Sequence, residues 1–259
     1  MNLTDLTIIL PTRNEVDNIR TFLASIPRTI QLIVVDSSTD NTRKVIAECR
    51  PLNTTILHRN VSIVEARQLG AEAAATGWLL FTDADVRFSR DYFVRLAVQD
   101  GSWGALYGSK RSTGGFRNYY RTFVWGQRLL HSVGIPAATG SNLLIRRDAL
   151  FDVGGFDRTL SCNEDTEVVW RIHRRGFRVD FAPDLAVFET DHRRLRRGAL
   201  AKTMHSLTRC LLLYLDLMPS RWRTGDWKYW AGLPNRGSLA GQEAQPHTEI
   251  APSAGLTRS

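Results

Sequence analysis

The sequence predicts an α/β fold, a mainly parallel sheet flanked by helices with a C-terminal helical extension, and three observations carry that prediction. Short apolar runs recur at Leu6 to Leu10, Leu32 to Val35, Thr55 to Leu57 and Trp78 to Thr82, as in strands buried on both faces. Between them, Asn14 to Ser25, Asn41 to Glu48 and Ser62 to Ala75 open on polar residues and carry apolar ones at helical spacing. The order is therefore βαβα, a plan in which ligands bind beyond the carboxyl ends of the strands. Polar clusters fall at those ends: Pro11, Thr12, Arg13, Asn14 and Glu15 after the first strand, Asp36, Ser37 and Ser38 after the second, and Asp83, Ala84 and Asp85 after the fourth.

Arg87 to Tyr120 is mixed and punctuated by glycines, so it yields no ordered reading. Asn142 to Ile145 resembles a strand, Glu164 to Arg175 a helix, and Val179 to Val187 a strand region broken by Pro183. Arg193 to Leu217 reads as a basic helix with an apolar face. The organisation expected is a main domain over residues 1–192, a basic amphipathic helical extension over 193–232 and a disordered tail over 233–259, where Pro, Gly, Ser and polar residues dominate.

The 259 residues are 43% hydrophobic, enough for a sizeable core. The net charge of +8 favours anionic partners: nucleotide phosphates, nucleic acid or acidic lipid headgroups. Cys49, Cys162 and Cys210 are widely spaced and odd in number, which suggests neither a disulfide framework nor a zinc site and fits a reducing cytosol. The opening MNLTDLTIILPTRNE has a short apolar run with no basic segment before it, so it reads as a first strand rather than a secretory signal. Leu211 to Met218 contains Asp216 and falls far short of the roughly 20 residues that span a bilayer, so no transmembrane helix is expected. The location expected is cytoplasmic, with peripheral attachment to the inner face of the plasma membrane as an option.

Two carboxylates two residues apart at a strand end, Asp83 and Asp85, can together engage a hard cation that bridges phosphate oxygens. A solvated turn is the plain alternative for so short a motif. Six segments, one of them carrying this pair, give it context: IILPTRNE at Ile8 to Glu15, VVDSSTDNT at Val34 to Thr42, ARQLGAEAAATGWLLFTDAD at Ala66 to Asp85, GSNLLIRRDAL at Gly140 to Leu150, GGFD at Gly154 to Asp157 and NEDTEVVWRIHRRG at Asn163 to Gly176. In this order and spacing the chain resembles the family 2 glycosyltransferases over Leu6 to His192.

That resemblance implies a GT-A fold, with a Rossmann-like sheet, and a role for each position. Pro11, Thr12 and Glu15 would wall the nucleotide pocket and Asp36 would accept a hydrogen bond from the base. On its own, Asp36 reads equally as a cap or turn residue for the helix entered near Asp40, although Asp40 is the better cap. Arg67 would lie near the base or phosphates, Asp83 would contact the ribose or the metal, and Asp85 would ligate a divalent cation, Mg²⁺ or Mn²⁺. Ser141 and Asn142, after Gly140, would let a sugar approach. Glu164 and Asp165 open a helix, where acidic residues also serve the helix dipole. In the family the aspartate of this pair is the general base, so Asp165 would take the acceptor's proton in an inverting transfer. His192 would coordinate the metal or touch the diphosphate.

The implied partners are a nucleotide-diphosphate sugar, with a UDP-sugar as the leading donor, and a hydroxyl acceptor carried by a lipid or a small molecule. The processive members' multiple transmembrane helices and QxxRW motif have no counterpart here, which points to addition of one sugar. The basic helix from Arg193, with Trp222, Trp227 and Trp230 beyond it, suits either a membrane surface or packing on the domain. The alternatives are a degenerate fold that only binds a membrane surface or nucleic acid, and a nucleotidyltransferase. The latter usually carries a glycine-rich basic signature near the N-terminus, which PTRNE lacks. No GxxxxGK[ST] sequence occurs, which disfavours a P-loop kinase.

Overall fold

The computed structural model describes residues 1–112, 114–190, 195 and 199–224. The expected tail over 233–259 and the arginines at 193, 194, 196 and 197 lie outside the described residues. One eight-stranded sheet runs through the chain in the order β3-β2-β1-β4-β7-β6-β8-β5. Its strands are β1 (Leu6–Thr12), β2 (Gln31–Asp36), β3 (Thr54–His58), β4 (Trp78–Thr82), β5 (Val86–Phe88), β6 (Ala105–Ser112), β7 (Asn142–Arg146) and β8 (Val179–Glu189). Pairings among β1 to β4 are parallel, as is β6 with β8. Strand β7 runs antiparallel to β4 and β6, and β5 antiparallel to β8.

Alternation along the buried strands divides the core into two layers. Ile8, Leu10, Leu32, Val34 and Leu80 face α1 (Ile19–Ala24), α2 (Thr42–Cys49) and α4 (Tyr92–Ala97), whose Phe22, Ile46 and Leu96 are fully covered. Ile9, Ile33, Val35, Leu79 and Phe81 face α3 (Ile63–Ala73), α6 (Arg147–Asp152) and α7 (Glu164–Arg174) through Val64, Leu150 and Val168. Full burial of each such side chain stabilises the fold by about 1.5–3 kcal/mol. A smaller cluster, Leu160, Trp170, Leu213 and Met218, ties α7 to α8 (Ala199–Tyr214); a short α9 (Ser220–Arg223) follows.

The expected α/β class is the one observed, and four local readings change. Helix α1 starts at Ile19 rather than near Asn14, because Asn14 sits at φ 56 and its side chain and neighbours are bonded to the next loop. Pro183 does not end β8. It lies in a bulge: Gly108 pairs with Ala182 and Ser109 with Ala186, while Pro183 O accepts from Ser109 Oγ at 2.7 Å and Arg111 Nη2 at 2.9 Å. Arg209, read as part of a basic outer face, is buried in α8 and donates to the Trp222 carbonyl. The stretch left without an ordered reading contains α4, β6 and the first turn of the 16-residue α5 (Arg117–Ser132).

Candidate active site

The sheet places the ends of β1, β2 and β4 side by side. Thr12 and Asp36 are register partners, and the Thr12 hydroxyl donates to Asp36 Oδ1 at 2.8 Å. The Asp36 carboxylate is wholly buried, and among the described residues no donor meets its Oδ2 in hydrogen-bond geometry; His58 Nδ1 stands 3.5 Å away. A buried acceptor left open is costly by about 1–3 kcal/mol, so this oxygen is poised for a ligand N–H. Asp36 does not cap α2. The N-cap position is Asn41, and Asp40 just before it accepts from Thr42 N at 2.9 Å and from the Thr42 hydroxyl. The two loops are stitched together: Ser37 N donates to Thr12 O, Asn14 N to Ser38 Oγ, Thr39 N to Asn14 Oδ1 and Glu15 N to Thr42 Oγ1, all at 2.8–2.9 Å. Glu15, expected with Pro11 in the pocket wall, is thus held against the second loop by protein hydrogen bonds.

At the end of β4, Asp83 Oδ1 accepts from Arg67 Nη2 at 2.9 Å, and the Asp83 side chain keeps 22% of its surface exposed. The main-chain oxygen of the half-buried Asp85 accepts from Thr190 N at 2.8 Å and Thr190 Oγ1 at 2.6 Å. That contact brings the end of β8 to the acidic loop. His192, two residues further on, lies outside the described residues.

Arg67 joins this loop to the other acidic centre. It is only 3% exposed, and its Nη1 donates to Glu164 Oε1 while Nη2 serves Asp83. The guanidinium sits so close to Gly140 that a Cβ there would lie 2.3 Å from Nη2, so only glycine fits. Arg67 is expected near the base or phosphates; its fork is engaged by two carboxylates of the protein, one of them Asp83 at the end of β4. Burial opposes the charge on Arg67, but Glu164, Asp83 and Asp165 outweigh it and raise its pKa. Burial pushes the Glu164 carboxyl up to about 7 against the pull of Arg67, with Asp165 and Asp83 adding to the rise. Three carboxylates around one guanidinium leave negative charge in excess.

Asn163, at φ 65, turns the chain into α7. Glu164 points inward to Arg67, whereas Asp165 stays half-exposed. Asp165 Oδ1 accepts from Thr166 N at 2.7 Å and Oδ2 from Gly140 N at 2.5 Å, which fixes the carboxylate at the rim. Gly140 thus bounds both Arg67 and Asp165.

Ser141 is buried, its carbonyl accepting from Thr82 Oγ1 at 3.0 Å. The Asn142 side chain is committed within the sheet. Its Oδ1 accepts from Tyr92 at 2.7 Å, and its Nδ2 donates to Ser109 O at 3.1 Å and Leu185 O at 2.8 Å, so the amide is saturated inside the sheet. Residues that sequence reasoning did not single out for the site are Asn14, His58 and Thr190. Only the left-handed preference of asparagine hinted at the first.

The donor chemistry suits a hard dication. Asp83 and Asp85 offer carboxylate oxygens, and the excess negative charge around Arg67 favours a cation beside it. Among the described residues no group of three His, Cys, Asp or Glu side chains forms a complete cation cage, so phosphate oxygens or water would fill the remaining positions.

The family model for glycosyl transferase family 2 matches residues 7–154. A pre-mycofactocin glycosyltransferase of Mycobacterium tuberculosis is 27% identical over 217 residues, 76% of this chain and 45% of the relative. A poly-beta-1,6-N-acetyl-D-glucosamine synthase of Staphylococcus aureus is 26% identical over 200 residues, 69% of this chain and 48% of the relative. The chain thus spans about half the length of these curated relatives. Among solved structures, the mannosyltransferase PcManGT of Pyrobaculum calidifontis, in complex with GDP-Man and Mn²⁺, has a TM-score of 0.63 and 25% identity, covering 85% of this chain and 72% of that one. TarS of S. aureus with UDP-GlcNAc has a TM-score of 0.60 at 20% identity, covering 72% of this chain and 58% of that one, a likeness of fold.

Proposed function

The chain belongs to glycosyl transferase family 2 and has the GT-A fold, and from that premise we propose that it moves a sugar from a nucleoside diphosphate sugar to a hydroxyl acceptor with inversion at the anomeric carbon. Catalysis is assigned to residues 1–192. The observation that carries the reading is the buried connection Asp83, Arg67, Glu164, which sets the diphosphate side of the site and Asp165 in one rigid unit. A binding-only protein has no need of this arrangement. The GDP-Man and Mn²⁺ in PcManGT and the UDP-GlcNAc in TarS support a nucleotide sugar as the donor class.

In the proposed mechanism, Asp36 Oδ2 accepts an N–H of the base, and the stitched loops bearing Pro11 and Glu15 flank it. Asp85, with Asp83, would hold a divalent cation, Mg²⁺ or Mn²⁺, with His192 as a further ligand. When bound, the cation supplies charge stabilisation for the leaving diphosphate. Asp165 accepts the acceptor hydroxyl's proton as that oxygen bonds to the anomeric carbon. The bond from that carbon to the phosphate oxygen breaks on the opposite face, and its electron pair leaves with the diphosphate. Arg67 positions both acidic centres and touches neither reactant. Glu164 holds the start of α7 against Arg67, so that Asp165 keeps its place at the rim.

The acceptor is proposed to be a lipid-linked or small hydroxyl compound, met at the cytoplasmic face of the membrane by a peripheral protein. A screen of nucleotide sugars for metal-dependent release of nucleoside diphosphate tests donor and reaction together. Absence of release with every donor, with and without Mg²⁺ or Mn²⁺ and in the presence of varied acceptors, would sink the reading.

A further inference from the structure

Exposed large apolar side chains are concentrated on two helices. On α5, Trp125 is 64% exposed and Leu129 50%; on α8, Met204, Leu207 and Leu211, with Leu215 just past its end, are each more than half exposed. The first two are spaced i, i+4 and the other four begin i, i+3, i+7, so each set forms one stripe along its helix. A core-facing helix would turn such a stripe inward, as α3 and α7 do. The two helices are neighbours, with Thr203 Oγ1 3.5 Å from Tyr119 Oη.

Charge decides what would cover these stripes. Arg121 and Arg128 share the outer face of α5 with Trp125, and a cleft of about 360 Å³ opens between Asn118, Arg121, Thr122 and Trp125. No Asp or Glu occurs anywhere from Gly101 to Arg147 or from Arg193 to Leu215, although the chain has 26 of them. On α5 the apolar stripe lies beside Arg121 and Arg128, and neither helix carries an acidic residue, which matches an anionic lipid surface: acyl chains take Leu and Trp, and headgroup phosphates take the α5 guanidinium groups. Each helix has 16 residues, and no described helix is long and apolar enough to cross a membrane, so contact would be made lying in the interfacial plane.

The position of α8 links this surface to the site. Asn163, next to Glu164 and Asp165, donates its side-chain amide to Ser206 Oγ at 3.2 Å and Cys210 Sγ at 3.3 Å on α8. We infer that the outer faces of α5 and α8 together form a docking surface for an anionic membrane leaflet, holding the Asp165 side of the site toward acceptors embedded in that leaflet. The inference rests on the transferase reading for the meaning of Asp165, while the surface itself stands on exposure and charge.

The full chain is mixed with phosphatidylcholine vesicles with and without phosphatidylglycerol, and its partition is measured by flotation at low and high salt. Binding to the anionic vesicles, weakened by salt and by omission of phosphatidylglycerol, is expected. The variants Trp125→Ser with Leu207→Ser, and Arg121→Glu with Arg128→Glu, should each lower partition roughly tenfold or more while melting like the parent and releasing diphosphate at the parent rate with a soluble acceptor. No partition of the parent chain, or partition that neither variant weakens, overturns the inference. A self-associated species that the same variants dissolve does so too, because the occupant is then a second copy. Turnover without lipid binding removes the docking surface alone, and lipid binding without turnover on any donor removes the transferase reading instead. The parent chain's lipid and salt dependence needs no variant to fold.

Discussion

The two halves of the sheet are assembled differently. In the half built from β1 to β4, each crossover helix returns the chain to the same sheet, and the loops at the strand ends bond to one another directly, as Asn14 does to Ser38 and Thr39. In the other half no strand pairs with a close neighbour in sequence: Trp78 of β4 pairs with Arg146 of β7, Ala105 of β6 with Val179 of β8, and Val86 of β5 with Glu189. In the first half only β1 with β4 is so distant. That half offers loops bonded to one another, the wall proposed for the nucleotide. The second places its acidic residue, Asp165, through long-range contacts to Gly140 and, by way of Glu164, to Arg67. Chemistry in the first half should therefore respond to single residues, whereas the second should lose stability and placement together.

The largest effect is expected from Asp85→Ala, which should remove metal-dependent turnover while leaving the melting temperature near that of the parent; unchanged transfer would refute the cation role. Asp165→Asn should lower kcat by roughly 10²–10⁴-fold, the range for loss of a general base, with donor binding intact. Its amide oxygen can still accept from Thr166 N, but its NH2 cannot accept from Gly140 N, so some loss of stability accompanies the kcat loss, and the test is a kcat loss measured in the folded chain.

Arg67→Met tests whether the two halves are coupled. It leaves Glu164 buried without its partner, and breaking such a pair costs about 3–5 kcal/mol in a denaturant titration. Combining it with Glu164→Leu should recover part of that loss; a double variant no better than the single would mean that the pair is not the cause. Asn142→Ala should destabilise by about 1–3 kcal/mol, because Tyr92, Ser109 and Leu185 lose their partner, while the KM for donor in the folded fraction stays unchanged. A KM rise without destabilisation would restore Asn142 to the sugar site. The smallest change is expected from Asp36→Asn: roughly tenfold in donor KM at constant kcat, since one ligand hydrogen bond is weakened.

Much of the first half was legible because its signals are local. WLLFT is buried throughout, and Ser62 caps α3 by accepting from Glu65 N at 3.2 Å, as the polar start of that segment indicates. Where the reading slipped, a distant partner had intervened. Asn14 to Asn18 looked helical until the second loop claimed the backbone of Asn14 and Glu15. Arg209 looked like a surface cation, but the Trp222 and Cys162 carbonyls draw it inward. The stretch from Arg87 to Tyr120 could not be ordered because β5 and β6 take their pairing from β7 and β8, more than thirty residues downstream.

The sequence by itself determined the α/β class, the strand ends at which Asp36, Asp83 and Asp85 stand, and the helix start that carries Glu164 and Asp165. Periodicity and turn chemistry act over a few residues and are written in adjacent positions. Only the tertiary structure decided that Arg67 serves two protein carboxylates, that Asn142 is locked inside the sheet, and that α5 and α8, which touch at Tyr119 and Thr203, leave apolar side chains exposed. Those outcomes depend on which of several competing partners a buried polar group or an amphipathic face meets, and that is settled by packing between segments up to about a hundred residues apart.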